Sequence, residues 1–257
     1  MPAIHPAAAT GFAAKSATYD AGRPDYPVAV AGWLTGDLGL GPDTRVLDLG
    51  AGTGKFTGRL VETGAEVIAV EPVEAMRARL AAAHPTVAAL AGTAETIPLA
   101  DGSIDAIVCA QAFHWFSTAA ALAEIRRVVK PGGRLGLIWN VRDERIAWVA
   151  ELTAIMTPYE GDAPRYHTGR WRELFPADGF GPLHQRSFPH GATGPAEQVI
   201  VDRVMSVSFI AALPPAAQAR VAEAVRTVIA RSPDLAGRAD VTFPYETAAF
   251  VTEKIST

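Results

Sequence analysis

Between residues 43 and 140, short apolar runs alternate with stretches whose apolar side chains recur every three to four positions. A parallel sheet needs this alternation, because each strand must be followed by a crossover helix. Residues 45–49 predict a first strand, and 56–63 a helix with Phe56, Leu60 and Val61 on one face. Residues 66–70 predict a second strand. Pro72 then opens a helix through Met76 and Leu80 to about His84, since proline at a first helical position removes an amide that had no partner. Residues 86–91 predict a weaker third strand. The continuously apolar run 104–110 predicts a fourth, buried on both faces. Ser117 is placed to cap a helix carrying Leu122, Ile125 and Val129 on one side, and Lys130-Pro131-Gly132-Gly133 stops it. Residues 134–139 form a fifth strand. Five such units make a doubly wound sheet, because the right-handed crossover rule leaves few other topologies.

The flanks are less regular. Residues 26–38 predict a helix with Val28, Ala31, Leu34 and Leu38 on one face. Residues 147–156 predict another, 158–191 are rich in Pro, Gly and aromatics, and 195–212 and 215–231 predict two helices joined by Leu213-Pro214-Pro215. Residues 241–252 alternate as a closing strand. With no internal repeat or low-complexity linker, we expect one domain over 1–257. It divides into a leader (1–42), a core (43–140), a helical cap (141–240) and a closing strand (241–257).

Composition narrows the partners. The net charge of −4 gives no electrostatic reason to sit on nucleic acid or an anionic membrane. No apolar run approaches the ~18 residues of a membrane span, and residues 1–10 lack the pattern of a signal peptide. Cys109 is the single cysteine, so neither an internal disulfide nor a cysteine cluster forms, and a reducing cytoplasm is expected. His167, His184 and His190 are scattered, without an H-E-x-x-H pattern, and we expect no metal.

The chemistry is concentrated at the first strand's end. A strand feeding glycines into a helix is a generic nucleotide turn. Two departures restrict it here. The dinucleotide pattern G-x-G-x-x-G/A wants a small residue where Lys55 stands. A P-loop wants glycine where Leu49 stands and Ser or Thr where Phe56 stands. Glu71, at the end of the second strand, can accept two ribose hydroxyls, which supports a nucleoside without choosing which.

What remains is Asp48-x-Gly50-x-Gly52-x-Gly54, and here the sequence resembles the class I S-adenosylmethionine-dependent methyltransferases. The segments Gly92-Thr93-Ala94-Glu95-Thr96-Ile97-Pro98-Leu99 and Asp101 to Asp105 extend the match. Gln111-Ala112-Phe113-His114-Trp115-Phe116 is similar to the small-molecule branch, methyltransferase type 11, which includes the trans-aconitate methyltransferase-like proteins. The leader around Phe12, Ala17, Tyr19 and Arg23-Pro24-x-Tyr26-Pro27, and the tail Phe243-Pro244-Tyr245-Glu246-Thr247, fit the same branch. The resemblance implies a seven-stranded, mostly parallel Rossmann-like α/β sheet with an antiparallel last strand and a helical cap. It also implies S-adenosyl-L-methionine as donor and S-adenosyl-L-homocysteine as product.

Carried over residue by residue, the resemblance assigns cofactor contacts to Tyr19, Arg23, Asp48, Gly50, Ala51, Gly52, Gly54, Glu71, Pro72, Met76, Thr93, Ala94, Glu95, Ala110 and Gln111. Thr93 stands where many members carry aspartate, which puts its contact to the adenine amine in doubt and leaves backbone amides of Ala94 or Glu95. His114, Trp115, Trp139 and Asn140 are expected at the acceptor. His114 is the candidate base, the alternative being that it only shapes the pocket. Trp148, Tyr159, Tyr166 and Trp171 are further aromatic candidates, with about two of the whole set expected in the site. By analogy with the same branch, one of Arg142, Arg145, Arg165, Arg170 and Arg172 would hold an acceptor carboxylate, although solvated surface is the expectation for each alone. Two other readings remain open: an NAD(P)-dependent oxidoreductase, opposed by Lys55 and the lack of a Tyr-x-x-x-Lys pair, and a non-catalytic cofactor-binding protein. Acceptor identity, the atom methylated and oligomeric state are not set by the sequence.

Overall fold

The computed structural model describes residues 24–161 and 164–255. Seven strands form one sheet: β1 (Arg45–Leu49), β2 (Glu66–Val70), β3 (Ala88–Leu90), β4 (Ile104–Ala110), β5 (Val129–Arg142), β6 (His184–Gly194) and β7 (Val241–Glu253). Their order is β3-β2-β1-β4-β5-β7-β6, with β7 antiparallel to both its neighbours and the other neighbouring pairs parallel. The period-2 alternation of each strand feeds two cores. Leu47, Leu49, Ile68, Val70, Ile107 and Cys109 point to one face, and Val46, Val67, Ala69, Ala106 and Val108 to the other.

Helices cover both faces. A short helix α1 (Val30–Gly32) continues as a π-helical stretch (Trp33–Asp37), and with α2 (Thr57–Val61) and α3 (Glu74–Ala83) it flanks the second face, burying Trp33, Leu34, Leu60 and Leu80. α4 (Ala119–Val128) covers the first with Leu122, Ile125 and Val128. α1 starts later than the expected 26–38, because Pro27 and a turn at 28–29 precede Val30. α3 starts at Glu74 rather than at Pro72; Val73 is extended and its amide goes to the Glu71 carboxylate. The cap of α4 is Thr118, not Ser117, its hydroxyl accepting from Ala121 N at 3.1 Å. Lys130 to Gly133 ends α4 as expected but is drawn into β5, with a register shift between the Ile104 and Ala106 pairings.

β5 and β7 run well past the central sheet, and the cap stands on that overhang. α5 (Ala147–Met156) and α8 (Pro215–Arg231) pack Trp148, Val149, Leu152, Val221, Val225 and Val228 against Val241, Phe243 and Tyr245 of β7. The expected helix 195–212 is broken. A π-helical stretch (Glu197–Asp202) runs into α6 (Arg203–Met205). Ser206 then bonds its hydroxyl back to Arg203 O, Val207 is extended, and α7 (Ser208–Ala211) starts afresh. Sequence reading placed no strand at His184–Gly194. β6 is the sheet edge, mostly exposed, with Pro189 and Gly191 in it, so it carries no apolar alternation to read.

Candidate functional site

The strand order reverses between β1 and β4, so the loops leaving their C-terminal ends diverge and open a crevice. The turn after β1 is pinned to β2: Gly50 N and Ala51 N both donate to Val70 O, at 2.9 and 3.3 Å. Gly50, Gly52 and Gly54 all have positive φ. Their surroundings differ. A Cβ on Gly50 would lie 2.9 Å from Ala112 Cβ, and one on Gly54 would lie 2.8 Å from the His84 ring; at Gly52 no described atom lies within 4 Å. Two glycines are therefore required by packing against the protein, and the middle one faces space that no described atom fills.

Three polar side chains stand at or just beyond the C-terminal ends of β1, β2 and β3. Asp48 is fully buried; Thr57 Oγ1 donates to its Oδ2 at 2.6 Å, while among the described residues Oδ1 has no hydrogen-bond partner. Burial pushes its carboxyl up to about 7, against the Thr57 hydrogen bond and with the Glu71 charge adding to the rise. Glu71 is 5% exposed and accepts Gly52 N at 2.9 Å and Val73 N at 2.8 Å, joining the glycine turn to the end of β2. Burial raises its carboxyl too, opposed by those two amides. Beyond β3, Thr93 and Thr96 close a tight turn by mutual backbone bonds, and the Thr93 hydroxyl is buried without a partner among the described residues. Ala94 is buried in the turn and Glu95 half-buried. Pro72 is half-buried beside Glu71, and Met76 is buried on α3.

Gln111 follows Ala110 at the end of β4. It is the one non-glycine residue with positive φ (57°) among the described residues, held by Gln111 N to Ile138 O at 2.8 Å and by its amide to Asn140 O at 3.3 Å. A left-handed glutamine costs about 1–2 kcal/mol, which here turns the chain out of the sheet toward the crevice. His114 lies in the following single turn, Phe113–Trp115, with its Nδ1 accepting from Trp139 Nε1 at 3.0 Å.

The expected aromatic wall divides. Trp139, Trp171 and Trp148 are buried; Trp139 packs 4.6 Å from Trp171 and 4.9 Å from Tyr166, centroid to centroid. Trp115, Tyr159 and Tyr166 keep surface. Asn140 is a junction of the chain itself: its Oδ1 accepts from Thr247 at 2.6 Å and faces His190 Nε2 at 3.3 Å, and its Nδ2 donates to Pro24 O and Asp25 O. Tyr19 and Arg23 lie outside the described residues.

The arginines also divide. Arg145, Arg170 and Arg172 are exposed. Arg165 is largely enclosed, stacked over Phe209 at 4.5 Å and Trp115 at 5.5 Å and bonded to Glu160 at 3.0 Å. Arg142, at the end of β5, has no carboxylate ion pair among the described residues; its recorded hydrogen bond goes to Met156 Sδ at 3.7 Å. Desolvation and the neighbouring Arg203 pull its guanidinium down to about 10, against the opposing charges of Glu144 and Glu160, although part of the residue still meets solvent. Arg203, which donates to the Tyr245 hydroxyl at 3.2 Å, was not singled out from sequence, because nothing in its helical surroundings foreshadows a partner 42 residues away.

Comparison with known proteins agrees with this geometry. The methyltransferase domain family model matches residues 47–137. An uncharacterised methyltransferase-like protein of Schizosaccharomyces pombe is 38% identical over 244 residues, 95% of each chain. An uncharacterised methyltransferase of Mycobacterium tuberculosis is 42% identical over 236 residues, 92% of each chain. Among solved structures, the YcgJ protein of Bacillus subtilis aligns with a TM-score of 0.56 at 21% identity, covering 89% of this chain and 99% of its own. A β3-β2-β1-β4-β5-β7-β6 sheet with this glycine turn, in a chain so closely related to methyltransferases along nearly its whole length, belongs to the class I S-adenosylmethionine-dependent methyltransferases.

Proposed function

We propose that the crevice holds S-adenosylmethionine and that its cap side takes a small acceptor bearing a carboxylate. The observation that carries the donor half is Gly52, whose α-carbon faces space that a side chain would fill while Gly50 and Gly54 are packed on protein. The surrounding groups suit the donor. Each Glu71 oxygen keeps a lone pair after accepting an amide, enough for two ribose hydroxyls. The lone Asp48 oxygen and Thr93 hydroxyl supply polar atoms that still lack a partner among the described residues. The donor carries no phosphate, in keeping with a turn that lacks the P-loop pattern.

When bound, S-adenosylmethionine supplies an electrophilic methyl on a sulfonium, whose thioether leaves without a proton. The chain's own task is then to hold two molecules in line and keep water out, and orientation of that kind is worth several kcal/mol. In this reading Asp48, Gly50, Ala51, Gly52, Gly54 and Glu71 grip the amino acid and ribose. Thr93, Ala94 and Glu95 meet the adenine, Pro72 and Met76 line its side, and the resemblance assigns a further donor contact to Tyr19 and Arg23. Ala110 and Gln111 lie by the methionine, and His114 and Trp115 border the acceptor. Arg142 is the group we assign to the acceptor carboxylate, with Arg165 beside it. The Arg142 guanidinium has no carboxylate in contact among the described residues, Glu144 and Glu160 acting on it only at longer range, so an acceptor carboxylate would complete a contact ion pair there. Among the described residues no helix is long and apolar enough to cross a membrane; we place the enzyme in the cytoplasm, where Cys109 stays reduced.

Calorimetry with S-adenosylmethionine, S-adenosylhomocysteine and NAD tests the donor; binding of NAD in place of the sulfonium would overturn the reading. For the acceptor, Arg142→Met is expected to raise KM for carboxylate acceptors by roughly 10- to 100-fold, the loss of one charge-assisted hydrogen bond. Its donor affinity should stay unchanged. An unaltered KM would remove Arg142 from the acceptor site.

A further inference from the structure

His114 sits half-buried in the single turn after β4, and the group that bonds it decides what its ring can do. Trp139 is 1% exposed, on β5, with Trp171 at 4.6 Å, Tyr166 at 4.9 Å and Phe250 at 5.9 Å around its ring. The indole has no room to turn away, and its N–H is a donor with no acceptor capacity. A buried donor of this kind needs a partner, and it has one in His114 Nδ1 at 3.0 Å. Turning the imidazole over would set a C–H against the indole N–H and orphan it, so the hydrogen bond also fixes which ring atom faces inward.

We propose that Trp139 is a positioning residue that locks His114 in its Nε2–H tautomer, so that His114 presents a hydrogen-bond donor to the acceptor side and is not the base of the reaction. A neutral imidazole carries one N–H, and with Nδ1 accepting from the indole the proton resides on Nε2. To take a proton from an acceptor, the ring would have to use Nδ1, the nitrogen already covered by Trp139. Protonation there would oppose two N–H groups and cost the indole its partner. The acceptor class that follows arrives already deprotonated, its reacting atom supplying its own electron pair, as a carboxylate does. That last step rests on the methyl-transfer reading; the tautomer does not.

The test is imidazole ¹⁵N NMR of the intact protein, with the His114 signals identified as those that vanish in His114→Gln. We expect Nε2 to carry the proton and Nδ1 to resonate at the far-downfield position of an unprotonated ring nitrogen. A protonated Nδ1 in the wild type would overturn the proposal. In Trp139→Phe, which keeps an aromatic ring but removes the N–H, Nδ1 should lose its downfield position as the two tautomers mix. An unchanged spectrum there would show that Trp139 does not set the tautomer. Neither measurement uses donor or acceptor, so a failure here is distinguishable from a failure of the calorimetric test above.

Discussion

Gly50, Gly52 and Gly54 share a spacing and a backbone sign, yet a methyl group would do different things at each. All three lie at positive φ, so alanine costs about 1–2 kcal/mol of backbone strain wherever it is placed. At Gly50 that strain is joined by a 2.9 Å contact with Ala112 and a 3.1 Å contact with Phe116, a crowding worth roughly 1–3 kcal/mol more. Gly50→Ala should therefore melt clearly below Gly52→Ala in thermal denaturation. Gly52→Ala should stay folded and lose donor affinity at least tenfold by calorimetry. Wild-type donor affinity in Gly52→Ala would mean the open space is not where the donor binds.

At the scale of elements, a helix cap reaches the site through a chain of contacts. Thr118 caps α4; one and a half turns on, Glu124 accepts Ile97 N at 3.0 Å and pairs with Arg127, which also bonds Asp101 and the carbonyls of Ile97 and Leu99. The turn after β3 thus hangs on α4. Thr118→Ala should cost about 1 kcal/mol in denaturant unfolding, and a cost near zero would show that the cap hydroxyl does not support the helix. β1, β2, β4, α5 and α8 were legible in the sequence to the residue, because the apolar run or face that buries each is written in its own segment. β6 was not, since an exposed edge strand is held by backbone pairing with β7 and asks little of its side chains. The site divides in the same way. The glycine turn, Glu71 and Gln111 sit beside strand ends that periodicity locates, whereas Arg142, Arg203 and Tyr245 meet only because β5, β7 and the cap fold together.

At the scale of the whole molecule, the lower sheet and the capped overhang divide the work. In our reading one end of the sheet grips the donor on β1, β2 and β4, and the extended β5 and β7 carry the cap and the acceptor. Asn140 ties β5, β7 and the start of the described leader at the seam. The buried Asp48 gives the molecule a pH signature as well. Folded, its carboxyl keeps a proton up to about 7; unfolded it gives the proton up near 3.8. This raised folded value favours the folded state at low pH and is lost as a benefit while pH climbs from about 4 to about 7. Asp48→Asn should accordingly gain unfolding free energy relative to wild type across that window and hold the gain above it, by at most about 4 kcal/mol in denaturant unfolding at a series of pH values. A difference independent of pH would show that Asp48 ionises normally. The same carboxyl makes ligand capture a proton-coupled event. Near pH 7 it is roughly half protonated, and a donor with net positive charge favours its ionised form. Binding should then expel up to about half a proton, seen as a dependence of the calorimetric heat on the ionisation enthalpy of the buffer, so that loading with donor is slightly favoured by alkalinity.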